Sequence, residues 1–514
     1  MAISWEMRRR VCLSRPFRRC LVCEESVFFR VMSKRKAKGG SDNRRLTEEV
    51  AQLKARLAQA LACIAELEQR NTQLQQQLAK AKKNSSNSSK PPSSDIVKPK
   101  TPKGKGRRGK RKQGGQPGHP KHERLEFLPE MLDQVWQYQL SECPVCGDAL
   151  LPSDEAPKTV QQVEIIEKPI RIDEHRGLAY WCESCQKIHY APLPPEVQKG
   201  GLFGPRVTAV VAYLKGMCHA SFSTIRKFLR DVLGVTVSRG YLRKLIAKVS
   251  DSLNHAYAEL LSLLPDEEVV NADETGHKEN GNRFWTWCFR AELYTLFRID
   301  KSRGSQVLIE TLGEEFDGVL GCDYFSAYRK YMDTFDVRVQ FCIAHLIRDV
   351  KFLITLPDRR TQNYGRRLRD ALRVMFAVIH RRDKLKPATF ARRLAAAREV
   401  VIAKATKHVP PSREARNLAK RFRERGQAYF EFITTPNVEP TNNLAEQAIR
   451  FVVIDRRITQ GTRSESGRRW CERIWTTLAT CARTGRDVLD FLHQSLLAHW
   501  LGKPPPSLLE TVAP

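Results

Sequence analysis

The sequence is short of two features, long apolar runs and acidic side chains. No stretch approaches the roughly 20 uncharged apolar residues that cross a bilayer, and the N-terminal segment lacks the apolar centre of a secretory signal. The 57 Asp and Glu residues are outnumbered by 88 Lys and Arg, which leaves a formal net charge of +31 on 514 residues. We therefore expect no membrane insertion and a polyanionic partner, with nucleic acid favoured over an anionic membrane surface.

A disulfide framework is also missing, although the chain has 14 cysteines. Two CxxC pairs stand out, Cys143 with Cys146 and Cys182 with Cys185. Alternating segments around them predict short strands, in a small domain over residues 125–200. Four thiolates from two tight turns complete a tetrahedral, structural site for one Zn²⁺ ion, and two redox pairs are the alternative. The other, mostly scattered thiols fit a reducing compartment, so we expect a cytoplasmic, nucleoid-associated protein.

A heptad pattern follows the basic, irregular N-terminus of residues 1–45 and defines a segment over 46–82. Two registers repeat every seven residues, at Val50, Leu57, Ile64, Asn71 and Leu78, and at Leu46, Leu53, Ala60, Leu67 and Leu74. Such repeats predict a coiled coil, and a buried amide at Asn71 favours a two-stranded, in-register pairing. We expect a homodimer or higher oligomer, with an amphipathic helix packed on its own chain as the alternative.

The segment over residues 83–124 is rich in Ser, Pro, Gly and Lys and cannot form a core. Residues 98–112 hold nine positive charges and no negative one. Such a tether can grip DNA phosphates without reading sequence. The candidate contacts include Arg107, Arg108, Lys110 and Arg111. The alternative is a solvated linker that only separates domains.

Residues 201–264 carry helical patterns, and the second half is typical of a helix-turn-helix. A turn at Gly234 separates two predicted helices, and Ser238 is placed to cap the second. That helix would carry Arg239, Tyr241, Arg243 and Lys244 towards the major groove. An ordinary helical hairpin is the alternative reading.

Strand patterns begin after residue 265, and two of the strands are expected to end in a carboxylate. One apolar run ends at Asp273 and another at Asp323, and Glu446 lies on a short predicted helix further on. Strand ends that meet at one rim of a sheet gather ligands. Three converging carboxylates would bind two Mg²⁺ or Mn²⁺ ions, which can drive an in-line displacement at phosphorus. The alternative is that these carboxylates only cap turns and helices.

Several other residues around the predicted sheet need an interpretation. His345 begins a helix near the rim and is a candidate phosphate contact, as is Arg450 after Glu446. A buried structural histidine and ordinary surface charge are the respective alternatives. Cys342 and His345 form a CxxH without a partner pair, so no second zinc is expected there. Residues 351–430 read as helical, with 22 Lys and Arg against 6 Asp and Glu, and predict a basic insertion that contacts DNA.

The motifs occur in an order that resembles the insertion sequence sixty-six family of bacterial DDE transposases. The similarity runs from about residue 46 through the heptads, NSSNSSKPPSSD, CPVCG with CESC, ADETG, GCDYFSAY, CIAHLIR and PTNNLAEQAIR. The resemblance implies that Asp273, Asp323 and Glu446 are metal ligands on a ribonuclease H-like fold. Gln447 stands where the family commonly has Arg, which puts a neighbouring phosphate contact in doubt.

The resemblance predicts a multidomain α+β transposase that cleaves element ends and transfers strands. Its parts would be the coiled coil, the zinc-binding domain, the helix-turn-helix-like region and a ribonuclease H-like catalytic domain. The catalytic domain would span 265–500, with the helical insertion at 351–430 and a tail at 501–514. A non-catalytic DNA-binding regulator, an inactive transposase and a nuclease without strand transfer are the alternatives. Accessory proteins encoded by the same element are a further expectation.

Overall fold

The computed structural model describes residues 40–83, 127–140, 144–148, 159–163, 165–166 and 169–509. The predictions for Arg107, Arg108, Lys110, Arg111 and Cys143 lie outside these residues. Contacts divide the chain into two units, residues 1–82 and 83–514. The fold is mixed α+β and mostly helical, as the sequence predicts.

The first unit contributes one long helix, α1, over Gly40–Ala81. The leucines of both heptad registers are more than half exposed in the single chain, from 52% at Leu78 to 62% at Leu53. A helix of 42 residues with an uncovered apolar stripe has no core of its own to hold it. The helix agrees with the heptad pattern.

The first strands described in the second unit form a small antiparallel hairpin, β1 over Ala179–Cys182 and β2 over Lys187–Tyr190. Five helices follow: α2 at Pro195–Gly200, α3 at Pro205–Gly216, α4 at Phe222–Leu233, α5 at Arg239–Ser252 and α6 at Asn254–Leu263. Gly234 ends α4 with φ at +67°, a backbone conformation that glycine adopts without strain. Oγ of Ser238 accepts from the N–H of Tyr241 at 3.0 Å, so the predicted cap is confirmed.

A five-stranded mixed sheet forms the centre of the second unit. Its strands are β3 at Val269–Glu279, β4 at Asn282–Arg290, β5 at Thr295–Asp300, β6 at Val319–Cys322 and β7 at Arg338–Phe341. The spatial order is β5-β4-β3-β6-β7, with β3, β4 and β5 antiparallel and β6 and β7 parallel to β3. Helices α7, over Gln306–Leu312, and α8, over Ser326–Phe335, connect the later strands. On β4, the side chains of Trp287 and Phe289 are buried in the core of the second unit, as their alternation with Trp285 predicts.

The prediction that β3 ends at Asp273 is wrong, because the strand continues to Glu279. Beyond the carboxylate, β3 is held by antiparallel pairing with β4, from Glu274 opposite Trp287 to Glu279 opposite Asn282. The parallel pairing with β6 does stop early, since it covers Val269–Asn271 only. The sheet therefore ends near Asp273 on the side of β6, as predicted, but continues past it on the side of β4.

Seven helices follow β7. They are α9 at Ile343–Thr355, α10 at Arg359–Ile379, α11 at Pro387–Thr406, α12 at Arg413–Arg425, α13 at Asn443–Thr459, α14 at Glu465–Thr484 and α15 at Val488–Leu501. The helix that carries Glu446 is α13, and with 17 residues it is not the short helix expected from sequence. No helix in the described ranges combines the length and the apolar character needed to cross a membrane.

Helix α14 closes the outer edge of the sheet through side chains. The N–H groups of Thr295, Phe297 and Ile299 on β5 donate to side chains of α14. Their acceptors are Oγ1 of Thr480 at 3.3 Å, Oγ1 of Thr476 at 3.0 Å and Oε1 of Glu472 at 2.7 Å. Four residues of helix and two of strand both advance about 6 Å, so the two spacings match. The helix satisfies an edge that would otherwise leave buried N–H groups without partners.

Candidate active site

The first two carboxylates of the site lie where the parallel part of the sheet ends. Asp323 directly follows β6, and its Oδ1 accepts from the N–H of Phe325 at 2.8 Å, which fixes the turn into α8. Asp273 lies within β3, with its Oδ1 2.9 Å from the N–H of Glu274. Both residues are half-buried.

The third carboxylate, Glu446, is positioned by the turn that precedes α13. Nδ2 of Asn442 donates to the carbonyl of Ala272 at 2.7 Å, and the N–H of Asn442 donates to Sγ of Cys342 at 3.2 Å. The N–H of Ile343 also donates to the carbonyl of Pro440 at 3.0 Å. These bonds tie the start of α13 to β3 and to the start of α9. They bring the first turn of α13, which carries Glu446, close to Asp273, although the two residues are far apart in the sequence.

Glu446 faces two basic groups of α9. Its Oε1 lies 3.5 Å from Nδ1 of His345, and its Oε2 lies 3.4 Å from Nη2 of Arg348. Arg348 is in turn 3.2 Å from Nε2 of His345. The side chains of His345 and Glu446 are each 13% exposed. His345 therefore lies at the site, as its position in the sequence indicates, while the contribution of Arg348 was not anticipated.

Electrostatic interactions link the three carboxylates. Burial raises the pKa of Asp273 well above its usual range, and the charges of Glu274, Asp323 and Glu446 raise it further. Burial also raises the pKa of Asp323, although the charge of His345 lowers it. Mutual repulsion of this kind favours any cation that comes between the groups. Residues 50 and 123 positions apart in the chain thus act on one another.

Sequence reasoning missed a further carboxylate, that of Glu274. Its side chain is 2% exposed, and Oε1 accepts from Arg303 while Oε2 accepts from the hydroxyl of Tyr328 at 2.5 Å. Burial, followed by the charge of Asp323, raises the pKa of Glu274 to about 7, although both hydrogen-bond partners lower it. Adjacent strand residues point to opposite faces, so Glu274 lies across β3 from Asp273. The only sequence signal was an acidic residue beside the predicted ligand.

The ligand atoms at the site suit a divalent cation. The carboxylates supply hard oxygen ligands of the kind that Mg²⁺ and Mn²⁺ prefer. Oε1 of Glu446 is buried and accepts no hydrogen bond from any described residue, as expected for an oxygen that a cation would satisfy. Cys342, His345 and Glu446 also place ligand atoms within 4.8 Å of one another. Burial raises the pKa of the Cys342 thiol, and its sulfur already accepts from Asn442, so the oxygen ligands fit a cation better.

A second potential metal site lies on the β1–β2 hairpin. Cys182 ends β1, Cys185 lies in the turn, and His189 on β2 places Nε2 3.1 Å from Sγ of Cys185. The ligand atoms of these three residues lie within 4.8 Å of one another. Hydrogen bonds from Cys185 and from the N–H of Ser184 lower the pKa of the Cys182 thiol. Cys146 is exposed in a separate turn, and His189 is a potential ligand that the sequence did not reveal.

The basic residues predicted for DNA on α5 are exposed. Arg239, Arg243 and Lys244 lie on its solvent side, and Arg450 is exposed on α13. The prediction that Tyr241 points to the major groove is wrong. Its hydroxyl accepts from the N–H of Phe203 at 3.1 Å, and the two rings pack edge to face at 5.5 Å. Tyr241 points inward because its ring packs against Phe203 and its hydroxyl satisfies a backbone N–H group.

Known proteins provide an independent comparison. Residues 200–469 match the Transposase IS66 family, and residues 40–125 match a family of unknown function (DUF6444). An uncharacterized protein of Sinorhizobium fredii (strain NBRC 101917 / NGR234), y4qI, is 23% identical over 403 residues, 71% of this chain and 72% of that protein. The first match spans more than half of the chain and contains all three carboxylates of the candidate site, and the chain accordingly belongs to the Transposase IS66 family.

Proposed function

We propose that the chain is an active DDE transposase that cuts DNA at insertion-element ends and joins them to target DNA. The observation that carries the proposal is the hydrogen bond from Asn442 to the carbonyl of Ala272, which holds the turn before Glu446 against the residue that precedes Asp273. Asp323 follows β6, the strand that pairs in parallel with β3. The mixed sheet, with helices on the connections between its parallel strands, supports a ribonuclease H-like catalytic domain over 265–500. Within it, the helices of 351–430 form an insertion between β7 and the helix of Glu446.

The proposed chemistry uses two Mg²⁺ or Mn²⁺ ions, held by Asp273, Asp323 and Glu446. When bound, such a pair activates a water or a 3′-hydroxyl and stabilises the leaving oxygen. The protein's own part is to hold the carboxylates in place, through the Phe325 N–H on Asp323 and the Asn442 anchor below Glu446. His345 is placed to contact a phosphate drawn to the site. Hydrolysis and strand transfer then need no covalent link between protein and DNA.

The DNA would be gripped by basic surfaces outside the carboxylates. A net charge of +31 and the exposed side chains of Arg239, Arg243 and Lys244 support this role. Arg450 and the basic linker that includes Arg107, Arg108, Lys110 and Arg111 are further proposed contacts. Family membership implies a DNA substrate in general.

A structural zinc ion is proposed for the small domain over 125–200. Cys182 and Cys185 are one half of the ligand set, and Cys143 and Cys146 are the other half. His189 lies close enough to Cys185 to replace one thiolate, which would give a site of three cysteines and one histidine. With four protein ligands the ion would have no open position for catalysis. Its role would be to hold the hairpin together.

Helix α1 is proposed to pair with α1 of a second copy. Its exposed leucines repeat at heptad spacing over the length of the helix, and Asn71 supplies a register-setting amide. Pairing would bring two catalytic units to one DNA molecule. Accessory proteins from the same element remain part of the proposal on family grounds.

A non-catalytic DNA-binding protein is the second candidate function, since the basic surfaces would serve it equally. Incubation of the full-length chain with Mg²⁺, an element-end duplex and a supercoiled target separates the candidates. We expect joined products in which the 3′ end of the element strand is bonded to a target 5′-phosphate, with a 3′-hydroxyl released on the target strand. Cleavage without joining would indicate a nuclease. The absence of both, with accessory proteins present, would favour the regulator.

A further inference from the structure

An arginine beside the carboxylates is held on three sides. Arg303 lies between β5 and α7, and its Nε and Nη2 donate to Oε1 of Glu274 at 3.0 and 2.6 Å. Its guanidinium carbon lies 3.9 Å from the ring centroid of Phe325 and 4.4 Å from that of Trp285. The N–H of the same Phe325 donates to Asp323. The ion pair and the two rings therefore fix the guanidinium plane on the Asp323 side of the site.

Three of the five N–H donors of Arg303 have no acceptor among the described residues. The Nε–Nη2 edge is used by Glu274, so Nη1 and the second N–H of Nη2 form a free, parallel pair. Within the ranges that the structure describes, no acceptor is bonded to Nη1. The side chain is 38% exposed, whereas that of Glu274 is 2% exposed.

A purely structural ion pair in this protein looks different. Arg473 donates to Ser250, Asp251 and Asn254 through both terminal nitrogens, and its side chain is only 9% exposed. Both of its terminal nitrogens are turned into the protein. Arg303, by contrast, leaves more than a third of its side chain exposed.

The position of Glu274 costs electrostatic free energy, and the binding of Arg303 would explain why a carboxylate is found there. A carboxylate next to Asp273, and close to Asp323, adds repulsion between like charges that a neutral residue would avoid. Its two oxygens are used only to bind Arg303 and the hydroxyl of Tyr328. Glu274 is thus suited to hold a guanidinium in one orientation.

We propose that Arg303 binds a backbone phosphate of DNA flanking the phosphate that is cut, with Glu274, Trp285 and Phe325 as the residues that position it. The inference rests on the proposed function, since it requires DNA at the carboxylates. The free edge of a guanidinium matches two phosphate oxygens, and the flat group stacks between rings as an ammonium does not. Because the side chain is already ordered, little conformational entropy is lost on binding.

The test measures DNA binding by the full-length protein in EDTA, so that no cleavage occurs. The probe is a duplex with the terminal sequence of the element that encodes the chain. The slope of log affinity against log salt is negative. Arg303→Gln should reduce its magnitude by about one, because one phosphate contact is lost. The matched control is Arg298→Gln, which removes an arginine of the neighbouring strand β5 that is ion-paired with Asp300 and Glu310. Its slope should equal that of the wild type.

A second arm locates the phosphate. Single neutral methylphosphonates are placed in turn at the phosphates around the cut. One of them should weaken wild-type binding about tenfold, the size expected for a hydrogen-bonded charge. Arg303→Gln should lose that sensitivity, and Arg303→Lys, which keeps the charge without the fork, should fall between. The Lys variant decides the question if the Gln variant does not fold.

The proposal is overturned if Arg303→Gln keeps the wild-type salt slope and the wild-type methylphosphonate profile. It is equally overturned if no phosphate near the cut is sensitive in the wild type, or if Arg303→Lys retains full sensitivity. A chain that binds as described but does not cleave DNA in Mg²⁺ would refute the transposase proposal alone. The two failures are therefore distinguishable.

Discussion

At the scale of single residues, the candidate site concentrates negative charge that the fold alone does not favour. Asp273 has its pKa raised first by burial and then by Glu274, Asp323 and Glu446. A group whose ionised form is disfavoured in the folded state reduces stability at neutral pH. Active sites commonly trade stability for function in this way.

Replacing Asp273 with Asn should therefore separate stability from activity. Without metal at pH 7, we expect the free energy of unfolding to rise on the order of 1 kcal/mol, because one unfavourable charge is removed. Mg²⁺ should stabilise the wild type and leave the variant unchanged. Thermal unfolding in EDTA and in Mg²⁺ measures both effects. The control is Asp333→Asn, which breaks an exposed ion pair with Arg425. If Asp273→Asn lowered the free energy of unfolding in EDTA, the account would be contradicted.

A buried histidine makes stability depend on pH. Burial, and then the charges of Arg456 and Arg468, lower the pKa of His277 to about 4, and its Nε2 lies 3.2 Å from Oγ1 of Thr462. The unfolded chain binds a proton near pH 6.5 and the folded chain only near pH 4, so stability falls as pH decreases between them. His277→Gln should remove this loss.

Denaturant unfolding of both proteins at pH 7 and pH 5 tests the effect of His277. The wild type should lose on the order of 2 kcal/mol more than the variant between these pH values, since other titrating groups are common to both. An equal loss in the two proteins would mean that His277 is protonated in the folded state.

The sequence motifs single out three carboxylates as candidate ligands, whereas the surroundings of these residues could not be predicted. Asp273, Asp323 and Glu446 each lie in a short local motif, which can be recognised without knowledge of the tertiary structure. Glu274 could not be singled out, because alternation along a strand places it on the other face, where only the tertiary structure brings Arg303.

At the scale of elements, helix α14 and strand β5 show how a sheet edge is closed. Three backbone N–H groups of the strand donate to side chains four residues apart on the helix. Strand β6 and the helices on either side of Gly234 followed from apolar patterns in the sequence. Their pairing partners did not, because a side-chain acceptor such as Thr476 has no local signature. For the same reason the extension of β3 past Asp273 was missed.

Thr476→Val should show how much the hydrogen bonds between α14 and β5 contribute to the free energy of unfolding. The substitution keeps the side-chain shape but leaves the N–H of Phe297 buried without an acceptor, which costs about 1–3 kcal/mol. Chemical denaturation measures the loss. Thr334→Val on α8, whose exposed hydroxyl donates only to the carbonyl of Lys330, is the control and should change stability little. Equal stability of both variants would show that the edge does not need the helix.

At the scale of the whole molecule, α1 predicts association. Leu53 and Leu67 share the d positions of the heptad and are 62% and 60% exposed. Changing both to Lys should convert a dimer into a monomer, because each chain would bury two charges in the seam. Light scattering after size-exclusion chromatography measures the mass. Ala55→Lys with Gln69→Lys adds the same charge on the outer face and should leave the dimer intact, and a monomeric wild type would refute the pairing.

The central claim is tested most directly by cleavage of an element-end duplex in Mg²⁺ by the wild type and by Asp323→Ala. The wild type, with any accessory proteins of its element, should release a 3′-hydroxyl at the element end. The variant should bind the duplex and cut it at least about 100-fold more slowly, since even residues that only orient a ligand contribute 10–100-fold. Equal cleavage by both proteins, or none by the wild type, would contradict the assignment of Asp323 to the catalytic site.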